Sequence, residues 1–223
     1  MSNSSSSTVD SALDVQKQRS TDYLKRTSKV SGELIQMLAL QDVEMGQFKE
    51  RLERQRRDLE IAERVTTDSL PDEVERIARQ RTKLEATKQA LKTFESSANI
   101  LAGSVFQIAK QGMSIAGKKV KGYSNKGRVI AGICVRDIVW QGRNQAMHYE
   151  ATATEASWRD VFLKLDVANP GAFSVKPPYE SRAKAIFDLL GWQSHAIYEA
   201  DMHSLLLGTR VGKTRAPAAS AAS

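Results

Sequence analysis

The sequence predicts an all-α protein, and three observations lead to this fold class. No proline occurs between Pro71 and Pro170, so the middle of the chain lacks the strongest helix breaker. Apolar residues recur at helical spacing along much of the chain, while the alternating Val-, Ile- and Thr-rich runs that indicate strands are missing. At 223 residues, the chain is long enough for one helical domain with an appendage.

Residues 11–116 are predicted to form a long antiparallel hairpin of two helices. A first seam with alternating spacings of four and three residues, the pattern of a coiled coil, consists of Leu34, Leu38, Gln41, Met45, Phe48, Leu52, Gln55, Leu59 and Ala62. After a break at "VTTDSLPDEVERI", Pro71 suits a first helical turn and acidic residues follow it. A second seam then consists of Val74, Ile77, Leu84, Leu91, Phe94 and Leu101. We interpret the hairpin as a packing device, either internal or dimerising.

The remaining segments complete the predicted organisation. Residues 117–126 form a basic linker, and residues 127–208 form a second helical region. In that region we expect helices over 127–149 and 154–166, followed by two helices separated near Gly191. Residues 1–10 and 209–223 are polar or Ala-rich, and we expect both to be disordered.

Composition predicts a cytoplasmic protein without a membrane segment. The single Cys134 excludes an internal disulfide framework and a cysteine zinc site, and it fits a reducing compartment. The start "MSNSSSSTVD" has no apolar core of the kind that secretory signals carry. The longest apolar run, 129–135, is far shorter than the ~20 residues that a membrane span needs.

Charge favours a polyanionic partner, RNA above all. The formal net charge is +7, with a sequence pI near 9.5. The segment "GKKVKGYSNKGR" holds five basic residues and no acidic one. Together with residues of the following helix, it provides the predicted nucleic-acid contacts: Lys118, Lys119, Lys121, Lys126, Arg128, Arg136, Trp140 and Gln141. The alternative is a solvated basic segment that contacts no RNA.

The predicted third helix ends in "DIVWQGRNQAMHYE" and has two unlike faces. At ~100° per residue, one side carries Val135, Val139, Gly142, Ala146 and Tyr149. The opposite side carries Asp137, Gln141, Asn144 and His148, with Trp140 at its edge. Arg143 lies ~140° from His148 on a straight helix, so the two side chains do not converge unless the helix bends, the arginine reaches round, or a second copy completes the site.

Arginine, asparagine and histidine together suit metal-free phosphoryl chemistry. Histidine titrates near neutrality, so it can take a proton from an alcohol and return one to a leaving group. Arginine is a permanently charged, forked donor for phosphate, and asparagine can orient either partner. RNA supplies its own nucleophile in the 2′-hydroxyl. The sequence therefore predicts no cofactor and no metal. Since the single histidine of this helix is too few to act as both base and acid, we expect a homodimer.

The segment "RNQAMH", from Arg143 to His148, resembles the R-x4–6-H signature of the HEPN (higher eukaryotes and prokaryotes nucleotide-binding) superfamily. The apolar lead-in "VIAGICVRDIVWQG" also resembles what precedes that motif, and the likeness covers about residues 129–150. HEPN proteins are all-α and usually dimeric, and many are metal-independent endoribonucleases of toxin–antitoxin, phage-defence and CRISPR systems; others bind without cutting.

The resemblance implies a HEPN-like helical bundle in which Arg143 and His148 are catalytic and Asn144 supports them. It implies a cleft at the dimer interface, products with cyclic phosphate ends, and an antitoxin or sensor protein as a possible partner. The long hairpin is not part of the minimal HEPN fold, so we treat it as an appendage.

Other candidate sites and functions compete with this interpretation. His195, Glu199 and His203 share one predicted helix, but they drift ~80° around its axis, so solvated or capping roles are favoured over a metal site. Trp140, Trp158 and Trp192 could stack on bases, but core or interface anchoring is the favoured interpretation. Cys134 is interpreted as a small buried apolar residue. Two non-enzymatic functions are a HEPN-like scaffold that binds RNA or a protein partner through the hairpin, and a plain coiled-coil assembly protein.

Overall fold

The computed structural model of the protein describes residues 4–65, 71–117, 125–149, 158–176 and 180–208. Helices dominate these ranges, so the predicted all-α class is confirmed. In chain order the elements are α1 (Ser4–Val65), α2 (Pro71–Ala116), β1 (Val129–Ile130), β2 (Ile133–Cys134), α3 (Val135–His148), α4 (Arg159–Ala168), α5 (Ala183–Leu189) and α6 (His195–Leu207). None of the helices in the described ranges combines the length and apolar character needed to span a membrane.

Helices α1 and α2 pack together as the predicted antiparallel pair. The hydroxyl of Tyr23 donates a hydrogen bond to the Ile108 carbonyl (2.7 Å), while Arg81 pairs with Glu63 (2.7 Å) at the other end. The residue numbers of the contacting positions therefore decrease along α2 as they increase along α1, as in an antiparallel pair. Every member of the first seam is buried or half-buried, which confirms its register. In the second seam Val74 was predicted wrongly, because it is 52% exposed near the tip of the hairpin.

The core surrounds the carboxyl-terminal half of α2. Small or apolar side chains there are completely buried, namely Ala98, Ala102, Val105, Phe106 and Ala109. Around them pack the middle of α1, together with α3, α5 and α6. The buried Trp192 ring lies 5.2 Å from the Phe106 ring and 4.9 Å from that of Tyr198, centroid to centroid. The seam residues near the tip lie outside this core and are covered by the hairpin alone.

Helix α3 begins at Val135 rather than near residue 127, so the predicted start of the third helix was wrong. The preceding residues form a two-stranded hairpin that pairs Val129 with Cys134 and Ile130 with Ile133. Ala131 and Gly132 both have positive φ, 49° and 76°, as a type I′ turn requires. The β-branched residues on either side of the turn favour extended backbone over helix.

The other helix boundaries agree with the prediction in part. Helix α1 begins at Ser4, within the segment 1–10 that was predicted to be disordered, and residues 1–3 lie outside the described residues. Helix α4 begins at Arg159, and the predicted start near residue 154 lies outside the described residues. The same holds for the tail, 209–223, and for residues 118–124, which include most of the basic linker. Helices α5 and α6 flank Gly191 as predicted, and this glycine has a φ of +69°.

Gly112 of α2 lies where α1 and α6 approach this helix closely. A β-carbon at this position would lie 2.8 Å from Cε1 of Tyr23 and 3.0 Å from Cδ2 of Leu206. The Tyr23 ring cannot easily move, since its hydroxyl is bonded to the Ile108 carbonyl. We expect Gly112→Ala to lower the free energy of unfolding by about 1–2 kcal/mol despite the better helix propensity of alanine. Chemical denaturation followed by circular dichroism measures the change.

The matched control is Gly46→Ala in α1, where nothing lies within 4 Å of an added β-carbon. This variant should raise the free energy of unfolding by roughly 0.5–1 kcal/mol, because only helix propensity changes. Two variants that shift stability in the same direction would contradict the close three-helix contact.

Candidate functional site

Helix α3 is held in place by its buried face, which leaves the predicted polar face outside the core. Val135, Val139 and Gly142 of the predicted apolar stripe are buried, as are Ile138 and Gln145. A β-carbon at Gly142 would lie 3.0 Å from Cδ1 of Ile186, so α3 and α5 approach closely there. This anchoring determines where the motif residues of α3 lie.

Gln145 joins α3 to the backbone that precedes α5. Its side-chain amide donates to the Glu180 carbonyl (2.7 Å) and accepts from the Arg182 amide (2.9 Å). Both functions of this buried carboxamide are therefore satisfied. Gln145 lies inside the "RNQAMH" motif, and its role is structural.

Arg143 is directed at α2. Its Nε donates a hydrogen bond of 2.7 Å to the side-chain oxygen of Gln107. This bond uses Nε, and no hydrogen bond to another described residue occupies the terminal nitrogens, which are the donors that arginine can direct at phosphate. Arg143 is half-buried, so its charge is less screened than that of a fully exposed arginine.

Asn144 is held from both sides by side chains. Its oxygen accepts a hydrogen bond from Lys110 of α2 (3.1 Å), and its nitrogen donates to Gln141 (3.1 Å). The Lys110 ammonium also lies 4.6 Å from the centroid of the Trp140 ring, a cation–π distance. Partial burial, followed by the charge of Arg143, lowers the pKa of Lys110. Three residues of α3, Trp140, Arg143 and Asn144, thus contact one amide and one cation of α2.

His148, the last residue of α3, is exposed. It lies one turn beyond Asn144, about 6 Å along the helix axis. Within the described ranges, no hydrogen bond joins His148 to Arg143. The structure therefore does not bring the two predicted catalytic side chains into direct contact within one chain, in keeping with the ~140° between them on an ideal helix.

Charged residues at the amino-terminal end of α3 form a separate cluster. Arg136 Nε lies 2.8 Å from Oδ1 of Asp137, and the positive charge of Lys126 also acts on this carboxylate. Burial acts to raise the pKa of Asp137, but hydrogen bonds from Arg136 and Cys134 outweigh it, and the pKa is lowered overall. Burial raises the pKa of the half-buried Cys134 thiol. Arg136 is thus tied to a neighbouring acid, while Lys126 is exposed.

Arg128 is paired with a buried carboxylate and does not contribute to the polar face of α3. Its guanidinium forms two hydrogen bonds with the Asp201 carboxylate, 2.8 and 2.9 Å long, and another with the Leu190 carbonyl. The indole nitrogen of Trp192 donates to the same carboxylate (2.9 Å). Arg128 therefore links the β-hairpin to α6 in the structure. Lys118, Lys119 and Lys121, the other basic residues predicted to contact RNA, lie outside the described residues.

His195, Trp158 and Trp192 of the carboxyl-terminal region serve packing, whereas His203 is exposed. The His195 ring packs 3.4 Å from the β-position of Gly32, and Glu199 accepts a 2.6 Å hydrogen bond from Ser28. The described residues contain no group of three or more His, Cys, Asp or Glu side chains that could hold a metal ion. Trp158 and Trp192 are buried, whereas Trp140 is only half-buried.

Sequence reasoning missed the two residues that α2 contributes, Gln107 and Lys110. A usable signal exists, because Lys110 is the one charged residue between Glu95 and Lys118 in the sequence. A lone charge in an otherwise uncharged helical segment indicates a position that faces away from the core or meets a specific partner. Only the packing of α2 against α3 shows that the partner is Asn144.

Comparison with models of known protein families, with curated proteins and with solved structures finds no match to this chain. The HEPN resemblance therefore depends on the motif residues of the sequence.

The structural role of Arg128 can be separated from a surface role by stability measurements. Arg128→Ala would leave the nearly buried Asp201 carboxylate without its cation, while Lys126→Ala removes an exposed charge. We expect Arg128→Ala to lower the free energy of unfolding by about 2–3 kcal/mol, less than for a fully buried pair because the arginine is 41% exposed. Lys126→Ala should change it by less than about 0.5 kcal/mol. Equal effects in urea denaturation would argue against this assignment.

Proposed function

We propose that the protein is a HEPN-type, metal-independent endoribonuclease. The observation that carries this proposal is that the three motif side chains, Arg143, Asn144 and His148, lie at the surface of α3 and not in the core. Arg143 and Asn144 are positioned there by hydrogen bonds to Gln107 and Lys110, and His148 is open to solvent one turn further along. A forked cation, an orienting amide and an accessible imidazole are the groups that acid–base cleavage of RNA uses.

In the proposed reaction, the His148 imidazole takes the proton of a ribose 2′-hydroxyl. The 2′-oxygen attacks the adjacent phosphorus, the bond from phosphorus to the 5′-oxygen breaks, and a 2′,3′-cyclic phosphate forms. A protonated imidazole returns a proton to the departing 5′-oxygen. The Arg143 guanidinium stabilises the negative charge that builds up on the phosphate oxygens.

This sequence of proton transfers requires a base and an acid at the same time. Each chain offers one histidine in the motif, so we propose that a homodimer joins two copies of the α3 polar face. An isologous pairing would give the cleft two histidines and two arginines. The orientation of Arg143 toward α2, away from His148, supports an arrangement in which each residue acts beside its counterpart from the other copy.

The resemblance also suggests the biological setting. We propose a cytoplasmic enzyme of a toxin–antitoxin or antiphage defence system, with RNA as substrate and an antitoxin or sensor protein as regulator. The net charge of +7 supports attraction to a polyanion.

A second candidate is a non-catalytic HEPN-like scaffold, and the hairpin favours it. Near its tip the two helices cover only each other, and Ile61 and Val65 remain 61% and 75% exposed. An extended arm with apolar side chains at its end suits binding to a protein partner. Under this alternative the polar face of α3 binds RNA without cutting it.

Cleavage assays on purified protein variants decide between the two. In the presence of EDTA, His148→Ala and Arg143→Ala should each reduce cleavage of a labelled single-stranded RNA at least a hundredfold, in the range of general acid–base contributions. His203→Ala, which removes another exposed histidine from α6, should cleave as the unaltered protein does. Gel analysis of the labelled products measures all three rates.

An RNA whose 2′-hydroxyls are replaced by hydrogen should remain intact, because the nucleophile is gone. Cleavage of that oligomer, or full activity of His148→Ala, would rule out the proposed chemistry. Binding of RNA with no cleavage by the unaltered protein would support the scaffold.

A further inference from the structure

Two cations lie side by side where α2 meets α3, and the partners that hold them are neutral. Lys110 donates to the Asn144 carboxamide and lies over the Trp140 ring, while Arg143 donates to the Gln107 carboxamide. None of these groups carries a negative charge. Both cations are half-buried, so water screens their repulsion only in part.

Several other cations of the described residues are paired with carboxylates, and Arg136 and Lys184 among them are half-buried. Arg128 is paired with Asp201, Arg136 with Asp137, and Lys184 with both Asp42 and Asp188. The fold therefore usually supplies an acid where it removes a cation from water, as desolvation requires. At Lys110 and Arg143, no acid among the described residues forms such a pair.

Lys110 is affected by its own partial burial and, after that, by the positive charge of Arg143. Partial burial and the charge of Arg143 both favour its neutral form, and the pKa of Lys110 is lowered. An anion bound between the two cations would offset the repulsion between them. Phosphate suits such a position, since it can accept hydrogen bonds from an ammonium and a guanidinium at once.

From this geometry we infer that Lys110 binds a backbone phosphate of RNA and, through its hydrogen bond, positions Asn144 for the same substrate. The inference rests on the proposed function for the choice of RNA as ligand. It adds a residue of α2 to a site that the motif alone assigns to α3. Lys110 is a binding and positioning residue, since its contacts are with Asn144 and the phosphate and not with the 2′-hydroxyl.

Binding measured apart from cleavage tests the inference. The probe is a fluorescently labelled, single-stranded RNA oligomer with 2′-O-methyl groups, which keeps its phosphates and lacks the nucleophile. Fluorescence anisotropy with the full chain, repeated over a range of salt concentrations, yields the affinity and its salt dependence. The variants are Lys110→Met and Lys110→Arg. The control is Lys83→Met, the same change on an exposed position of α2, ~40 Å away along the helix.

We expect Lys110→Met to weaken binding roughly tenfold at low salt. The plot of log affinity against log salt should become shallower by about 0.7, the loss of one phosphate contact on a single strand. Lys110→Arg should restore the slope because it keeps the charge, and Lys83→Met should leave affinity and slope unchanged. Circular dichroism spectra of the four proteins should coincide.

Unaltered affinity and salt dependence in Lys110→Met would overturn the inference. A shallow salt dependence in Lys110→Arg would also overturn it, because a lysine that the charged arginine cannot replace would act by packing. The outcome is independent of the proposed catalysis. If the unaltered protein fails to cut RNA but loses affinity in Lys110→Met, Lys110 remains a phosphate-binding residue and the nuclease proposal fails.

Discussion

The close packing around the carboxyl-terminal half of α2 is the constraint on which the rest of the structure depends. Ala98, Ala102 and Ala109 are completely buried, and Gly112 leaves no room for a β-carbon beside Tyr23. Small side chains on this helix let α1, α3, α5 and α6 approach it from different sides. Larger residues at these positions would push the neighbours apart and remove the shared core.

The same packing determines the candidate site. Gly142 lets α3 lie against α5 and Phe106, and this contact directs the opposite edge of α3 toward Gln107 and Lys110. The polar residues of the site are thus positioned by apolar contacts beneath them. A site built between two packed helices is more rigid than one on a loop, which suits a role in orienting a phosphate.

Much of the fold could be predicted from periodicity, and the errors have physical causes. The seam from Leu34 to Ala62 is buried or half-buried throughout because a coiled-coil pattern depends on spacing alone. The helix predicted from residue 127 failed because Ala131 and Gly132 adopt positive φ in a turn, which apolar composition does not reveal. Arg128 looked like part of a basic surface segment, yet Asp201, 73 residues later, draws it to the core.

By itself, the sequence determined the helical class, the two seams of the hairpin and the two faces of α3, because all of these follow from residue spacing along one element. Only the tertiary structure decided the partners of each polar residue. Lys110 and Asn144 are 34 residues apart, and no local pattern predicts their hydrogen bond. Helix geometry alone predicts that Arg143 lies away from His148. Only the packing of α2 against α3 brings a second cation, Lys110, near Arg143. Local periodicity depends on backbone geometry, whereas the meeting of distant charges depends on how the core closes.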